Sequence, residues 1–332
     1  MKDISLVKFF PMEPKVPFLS IRTLAALLST IAIIASLALF SVRGLNYGID
    51  FTGGTVIEID TGTTPDLAKI RTVVADAGFP GASVQGIAPD ASSTLDHDYV
   101  RIGIPLQPET EETGAQAQQI AMKATQDALV ANIDGFDGPE DIRSQEAVGS
   151  AVSGELRTKG ALAVGLALLM VLAYIWFRFE WQFGMGAVIA LFHDVILTIG
   201  VFSLTQIEFN LSIIAAILTI VGYSLNDTVI VYDRIRENLR KYKKMPLPEV
   251  LNLSINDTLS RTILTSFTTL LALFALYTLG GSGLRGFSFA MIWGVFVGTY
   301  SSIFVASPLL LMLKLKRGVN TGNAEKAEAR LT

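Results

Sequence analysis

The sequence predicts a polytopic α-helical membrane protein with six transmembrane helices and one small α+β domain between the first two helices. Three observations lead to this fold class. Of the 332 residues, 51% are hydrophobic and only 17% are charged, whereas soluble domains carry about a quarter charged residues. Six apolar stretches reach the roughly 20 residues that cross a bilayer. The residues between the first and second stretches, 42–159, instead alternate in the patterns of strands and amphipathic helices.

The first apolar stretch is interpreted as an uncleaved transmembrane helix over residues 19–41. Its apolar run is longer than that of a signal peptide, and no Ala-x-Ala cleavage site follows it. In the last stretch Pro308 predicts a kink or the approach to the helix end. The six predicted helices are Leu19–Phe40, Gly160–Phe177, Phe183–Leu204, Leu211–Tyr232, Thr262–Leu279 and Phe287–Leu313.

Basic residues in the short loops predict that both termini lie in the cytoplasm, because Lys and Arg are enriched on that side of a membrane protein. With six helices, all of the basic clusters fall on one side: Lys2, Lys8, Lys15 and Arg22; Arg178; Arg234, Arg236, Arg240, Lys241, Lys243 and Lys244; and Lys314, Lys316 and Arg317. Residues 1–18 would form a cytoplasmic N-terminus, and the polar residues 314–332 are predicted to be a disordered cytoplasmic tail. The domain at 42–159 would lie across the membrane.

The cytoplasmic connection between the fourth and fifth helices contains two helix-breaking prolines. The fourth helix is expected to continue to Tyr242, and Pro246 and Pro248 are expected to end it. A separate, short amphipathic helix over Glu249–Leu259 is then predicted at the membrane interface.

The domain has the element order βαββαβ, which is that of a ferredoxin-like domain. The predicted strands are Thr55–Asp60, Ala82–Ala88, Tyr99–Pro105 and Ile142–Val148, and the predicted helices are Pro65–Gly78 and Glu109–Asn132. In the second helix the buried side is expected to carry Ile120, Ala124, Ala128 and Leu129. From the pattern alone, a generic α+β domain remains an alternative. His97 is isolated in a polar loop, so the domain contains no convincing catalytic set and the chain is not expected to be an enzyme.

Composition and spacing disfavour several ligands. The chain has no cysteine, which excludes disulfides and thiolate metal sites, and its net charge of −4 provides no footprint for nucleic acid. Gly53 and Gly54 lie in the segment Asn46–Thr55, here called the Gly-Gly loop. This loop lacks the G-x-G-x-x-G spacing of a nucleotide site, so a structural turn is favoured over a binding loop. No cofactor and no metal are expected.

Asp227, preceded by Asn226, lies where the fourth helix should be inside the bilayer. An ionised carboxylate at that depth costs several kcal/mol unless it is paired, protonated or hydrated. Asp227 should lie roughly 9 Å inside the cytoplasmic end of the helix, which Asp233 marks. Arg261 begins the fifth helix from the same side and is the one cation able to reach it. We hypothesise that this contact, made and broken, loads and releases a proton; the alternatives are a buried structural Asp227 and an interfacial anchor at Arg261.

The third helix carries a second polar pair, His193 and Asp194, near its midpoint. Adjacent residues point to different sides of a helix, so they make a poor metal chelate, and a proton relay or structural contact is favoured. An aspartic dyad of Asp194 and Asp227, as in intramembrane proteolysis, is disfavoured because their expected depths differ.

Other small and polar residues of the predicted membrane helices have two interpretations. Tyr223 of the fourth helix and Thr265 and Thr269 of the fifth could form interhelical contacts or line a hydrated path, and they are candidate supports for Asp227. Gly294-x-x-x-Gly298 in the sixth helix predicts close packing of two helices.

The chain resembles the SecF family of protein-export membrane proteins. The matching motifs are Gly48–Thr55 (GIDFTGGT), His193-Asp194, Val221–Thr228 (VGYSLNDT) continuing to Tyr232–Asn238 (YDRIREN), Asn256–Thr262 (NDTLSRT) and Gly298–Ser302 (GTYSS). These motifs cover the membrane part and the Gly-Gly loop, with Gly48, Asp50, Phe51, Gly53 and Gly54 as the motif residues of the loop. The match is weakest over Thr61–Gly138, where only the general layout agrees.

The resemblance implies a subunit of the bacterial inner membrane, distantly similar to resistance–nodulation–division exporters. Its implied partners are SecD, the SecYEG channel, YajC, membrane lipid and the unfolded secretory polypeptide, with no nucleic acid among them. It would use the proton motive force, after the ATP-driven step, to help pull or release secreted chains on the periplasmic side. The resemblance ties Asp227 and Arg261 to proton coupling. A half-size exporter of lipid or drug and a non-transporting scaffold remain alternatives, and proton against sodium coupling stays open.

Overall fold

A computed structural model describes residues 16–62, 64–87, 99–108, 116–313 and 315. The predicted disordered tail, the loop of His97 and the start of the second domain helix lie outside these residues. In chain order, a 3-10 turn (Phe18–Ile21) precedes α1 (Arg22–Arg43), α2 (Ile49–Thr52), β1 (Gly54–Asp60), α3 (Leu67–Asp76), β2 (Ser83–Ile87), β3 (Tyr99–Pro105), α4 (Ala117–Asn132), β4 (Ile142–Val148), α5 (Ser150–Arg178), α6 (Trp181–Thr205), α7 (Leu211–Lys241), α8 (Leu247–Leu279), α9 (Ser282–Ser301), a π-helical turn (Ser302–Ala306) and α10 (Ser307–Met312).

Six helices of the described chain are long and apolar enough to cross a membrane, as predicted. The second begins at Ser150 rather than Gly160. Its first turns are polar, so the apolar stretch in the sequence starts later than the helix. The sixth consists of α9, the π-helical turn and α10, and it ends at Met312, shortly after Pro308.

The predicted separate helix over Glu249–Leu259 is wrong. These residues form the first turns of α8, which runs unbroken from Leu247 to Leu279. Pro248 lies in the first turn of this helix, where a backbone N–H has no partner within the helix and its loss costs nothing. Proline therefore marks the start of α8 rather than a break between two helices.

The domain is a four-stranded antiparallel sheet in the order β2-β3-β1-β4, with α3 and α4 providing the apolar cover. The element order and the sheet order are those of the predicted ferredoxin-like fold. The core contains five fully buried residues: Ile57, Ile59, Val100, Ile102 and Leu129.

The buried side of α4 differs in part from the prediction. Leu129 is fully buried as predicted, whereas Ile120 is 49% exposed. The other residues that face the sheet are Ala117, Ala121 and Thr125. The apolar character of Ile120 was misleading because the packed stripe consists mainly of small residues, which let the helix approach the sheet closely.

The helix α7 lies at the centre of the membrane part and packs against α6, α8 and α9. Gly294 of α9 faces Ile220 of α7 with no room for a side chain, and Gly298 lies tightly against Ser224, which confirms the predicted close packing. By contrast, α1 and α5 leave most of their apolar side chains exposed, including Leu27, Ile31, Leu162 and Leu169. These surfaces suit contact with lipid.

Candidate functional site

Asp227 lies in the middle of the packed helices and is only 6% exposed. Thr262 of α8 donates a hydrogen bond to its Oδ1 at 2.8 Å, and Ser302 of the last helix donates to its Oδ2 at 2.5 Å. Hydrogen bonds to a carboxylate offset part of the cost of burying it. The two oxygens are thus held by hydroxyls from two neighbouring helices.

The π-helical turn Ser302–Ala306 begins at one of these donors. Such turns insert one extra residue into a helix and are frequent at functional sites. The Ser307 hydroxyl donates to the Ser302 carbonyl at 2.8 Å within this turn. The last helix therefore changes its winding at the residue that contacts Asp227.

Arg261 does not form an ion pair with Asp227 among the described contacts. The arginine side chain is exposed at the surface of α8. The predicted contact between Arg261 and Asp227 is therefore not made in this arrangement. Two hydroxyls donate hydrogen bonds to the carboxylate instead.

The other predicted supports divide into two groups. Tyr223 donates to Ser266 at 3.0 Å, and Ser266 shares a hydrogen bond with Thr299 at 2.8 Å, so this polar chain lies beside Asp227 on the same three helices. Thr265 instead donates to carbonyls of its own helix, and Thr269 is half-buried. Asn226 is exposed on the outer face of α7.

Thr262, Ser266 and Ser302 were not singled out as site residues from the sequence. Thr262 and Ser302 are the last residues of two motifs quoted above, Asn256–Thr262 and Gly298–Ser302. Membership in these motifs was the one sequence signal that could have identified them. Hydroxyl side chains are common in membrane helices, and only packing shows which of them face a carboxylate.

His193 and Asp194 form a second buried polar site. His193 Nδ1 lies 2.8 Å from Asp194 Oδ1, and Ser224 and Ser301 donate to Asp194 Oδ2 at 2.5 and 2.7 Å. The second ring nitrogen of His193 lies 3.2 Å from the Ser29 hydroxyl of α1. The two adjacent side chains touch, although neighbouring residues on a helix normally diverge. No group of three or more metal-ligating side chains occurs among the described residues.

Two adjacent serines connect the two carboxylate sites. Ser301 donates to Asp194 and Ser302 donates to Asp227, at the junction of α9 with the π-helical turn. Each carboxylate has its own donors, so the two aspartates do not share a proton directly as an aspartic dyad does. A shift of this junction would change both sites at once.

Exchanging each serine in turn for alanine should affect the two carboxylate sites independently. A hydrogen bond to a charged group contributes about 1.5–3 kcal/mol, so Ser301→Ala and Ser302→Ala should lower the thermal stability by similar amounts. Only Ser302→Ala should remove a donor from Asp227, and only Ser301→Ala should remove one from Asp194. Thermal unfolding in detergent and infrared difference spectra of the carboxyl groups would measure the two effects. Equal changes of both carboxyl bands in each variant would contradict this assignment.

The Gly-Gly loop turns sharply into the first strand of the domain. Gly53 and Gly54 have φ angles of 71° and 126°, a region that residues with side chains rarely adopt. A side chain at Gly54 would collide with the Ile104 carbonyl of the neighbouring strand. These contacts support the predicted structural turn.

A charged cleft of about 630 Å³ lies between the open face of the sheet and the end of the membrane part that carries the Gly-Gly loop. Arg101 of β3 forms an ion pair at 2.5 Å with Glu208, which lies just before α7. Burial raises the pKa of the Glu208 carboxyl, the Arg101 guanidinium opposes this, and nearby acidic groups, Asp50 foremost, add to it. The ion pair joins the domain to the membrane helices.

The raised pKa of Glu208 gives a pH dependence with a defined sign. The folded state binds the proton more tightly than the unfolded chain, so the stabilisation from protonated Glu208 is complete below the ordinary carboxyl pKa. It is lost as the pH rises through the raised pKa. We expect thermal unfolding to show a gain on acidification that is smaller in Glu208→Gln. Glu155→Gln, at a glutamate paired with Lys159 of its own helix, should keep the full gain. An unchanged gain in Glu208→Gln would refute the assignment.

Comparison with known proteins matches both parts of the chain. The family model described as protein export membrane protein SecD/SecF, C-terminal, matches residues 129–316, and the SecD/SecF GG motif matches residues 38–65. Protein translocase subunit SecF of Rhodobacter capsulatus is 44% identical over 287 residues, which are 86% of this chain and 85% of the relative. SecF of Cereibacter sphaeroides is 42% identical over 94% of both chains.

Two longer proteins contain a region similar to most of this chain. Protein translocase subunit SecDF of Brucella abortus is 41% identical over 97% of this chain, which spans 40% of that relative. The crystal structure of SecDF from Thermus thermophilus, a translocon-associated membrane protein, superposes with a TM-score of 0.77 and 35% identity. That match covers 92% of this chain and 40% of the solved one.

Proposed function

We propose that this chain, which belongs to the SecD/SecF family of protein export membrane proteins, uses the proton motive force to assist the late translocation and release of secreted proteins. The observation that carries the proposal is Asp227, a buried carboxylate held by hydroxyls of two neighbouring helices. Ionisable residues inside a membrane helix bundle commonly mark ion pathways. Asp227 would exchange a proton, and Arg261 would approach it in another state of the cycle. Asn226, exposed on the outer face of α7, would support this site from the partner side.

The supporting residues have distinct roles in this proposal. Thr262 and Ser302 orient the Asp227 carboxylate, and Tyr223 extends the polar chain along the interface of α7 and α8. Thr265 and Thr269 lie on α8 within the two turns that follow Thr262. They would line the proton path when α8 moves. His193 and Asp194 would act as the relay or support that responds to the same junction of the last helix.

SecD is the partner that the fused relatives support, since the matching region of the Brucella abortus protein is part of one SecDF chain. The outer face of α7 suits such a partner, because Thr219, Gly222 and Asn226 are exposed along it. An amide in contact with lipid tails would be costly, so another protein is expected there. SecYEG, YajC, membrane lipid and the unfolded secretory polypeptide are the further proposed partners.

The proposed location is the inner membrane of a bacterium, with both termini in the cytoplasm. The domain at 42–159 would lie in the periplasm, where the secretory chain emerges. Residues 160–313 would form the remaining membrane helices, and the polar first turns of α5, from Ser150, would extend into the periplasm. The chain would act as a transport subunit rather than as an enzyme.

Reconstitution with SecD and SecYEG in proteoliposomes would test the function. A proton gradient should increase the completed translocation of a secretory precursor, and a protonophore should remove this increase. A sodium gradient alone should have no effect if the ion is a proton. If neither gradient affects translocation while omission of the chain does, the scaffold alternative is favoured. Gradient-driven efflux of a lipid or drug without SecYEG would favour the exporter alternative.

A further inference from the structure

The Gly-Gly loop holds the segment that leads into α7, the helix of Asp227. The Phe209 amide donates to the Asn46 carbonyl at 2.7 Å, and the Gly48 amide donates to the Phe209 carbonyl at 2.9 Å. The Asn46 side chain also donates to the Gln206 carbonyl at 2.9 Å. These bonds attach the segment that precedes α7 to the loop that follows α1.

Asp50 makes the contact that reaches the helix itself. Its Oδ2 accepts a hydrogen bond at 2.8 Å from the backbone N–H of Leu211, the first residue of α7. Asn210 accepts one from the Ile213 N–H at 3.3 Å, which is the ordinary capping bond from a neighbouring residue. The negative charge of a carboxylate also suits the positive end of the helix dipole. The helix therefore has a second cap, supplied from a different part of the chain.

Other motif residues make this contact possible. A Cβ at Gly48 would lie against the side chains of Glu208 and Asn210, so the loop packs directly on the start of α7. The Phe51 ring packs against Phe209 with 6.1 Å between ring centroids. Gly53 and Gly54 then turn the chain directly into β1. The loop thus occupies a fixed position between α1, the domain and α7.

Asp227 lies on the same unbroken helix as the capped residue. The sixteen helical steps from Leu211 to Asp227 extend over about 24 Å at the rise of an α-helix. No break interrupts α7 between Leu211 and Lys241. A displacement of the loop along the helix axis would therefore move Asp227 relative to Thr262 and Ser302.

We infer that Asp50 is a positioning residue that sets the depth of Asp227 by capping α7 from the Gly-Gly loop. Movement of the domain would reach Asp227 through this cap, because β1 begins where the loop ends. The coupling part of this inference rests on the proposed function, whereas the capping part rests on the contacts of the loop alone.

Three substitutions test the inference in the full chain reconstituted with SecD and SecYEG. Asp50→Ala removes the cap, and Asp50→Asn keeps an oxygen that can accept the Leu211 N–H. Asp66→Ala is the matched control, because Asp66 caps α3 of the domain through two bonds of 3.0 Å and does not contact α7. Two properties are measured: amide hydrogen exchange over the first turn of α7, and the pH dependence of gradient-driven translocation.

In Asp50→Ala we expect about fivefold faster exchange over the first turn of α7, which corresponds to the loss of a typical N-cap. The same variant should shift the pH profile of translocation. Asp50→Asn should stay close to the wild type in both properties. Asp66→Ala should accelerate exchange only in α3 and leave the pH profile unchanged.

Wild-type exchange in Asp50→Ala would overturn the cap. Faster exchange with an unchanged pH profile would show a structural cap and overturn the coupling, as would an equal shift in Asp66→Ala. Asp227→Asn is measured in parallel. If that variant translocates normally, the proposed function fails and the coupling fails with it, while the exchange measurement still decides whether Asp50 caps α7.

Discussion

Asp227→Asn should remove the stimulation of translocation by a proton gradient while the protein still folds and assembles with SecD. The amide has the size of the carboxyl group. Its oxygen can accept from one of the Thr262 and Ser302 hydroxyls and its NH2 group can donate to the other, but it cannot take up and release a proton. One charge moved across the membrane contributes about 2.3 kcal/mol per 100 mV, so a rate controlled by this step should fall up to roughly 50-fold. Translocation with and without protonophore measures the effect.

The matched control is Asp233→Asn on the same helix. Asp233 forms an exposed ion pair with Arg178 at 2.7 Å, and such pairs contribute about 1 kcal/mol or less. This variant should behave like the wild type. Arg261→Met is the companion variant and should also lose gradient-driven translocation. Wild-type translocation and proton conduction in both Asp227→Asn and Arg261→Met would show that the coupling proposal is wrong.

Gly294→Leu should prevent the membrane helices from packing. A side chain at this position would collide with Ile220 of α7, and neither backbone can move without separating the two central helices. Overpacking of this kind costs about 3 kcal/mol or more. The yield of folded protein in detergent and its thermal unfolding midpoint should both fall sharply.

Gly165→Leu provides the control for the same change of residue. Gly165 lies in α5, and a side chain there would meet open space. Its folded yield and unfolding midpoint should stay close to the wild type. Normal yield and stability in Gly294→Leu would mean that α7 and α9 are not held as closely as described.

The two glycines illustrate how far sequence spacing reaches. The Gly294-x-x-x-Gly298 pattern predicts a close approach of two helices because small residues four apart share one face. The pattern carries no information about the partner helix. Packing determines that Gly294 meets Ile220 and that Gly298 meets Ser224, both on the helix of Asp227.

The motif residues of the Gly-Gly loop show the same limit. Positive φ angles at Gly53 and Gly54 agree with the predicted turn, because only glycine adopts them without strain. The partner of Asp50 could not be predicted, since Leu211 is 161 residues away in the sequence. Contacts over such separations depend on how the helices assemble.

The sequence by itself determined the six membrane helices, the order of strands and helices in the domain, and Asp227 as the exceptional charge. These properties follow from apolar length, from the periodicity of side chains along a helix or strand, and from the cost of burying a carboxylate. Only the tertiary structure decided which groups satisfy that carboxylate. Thr262 and Ser302 reach it, whereas Arg261 does not, because donors from two helices must converge on the third at one depth. That depth depends on the packing of α7 and on the π-helical turn, and neither has a local signal in the sequence.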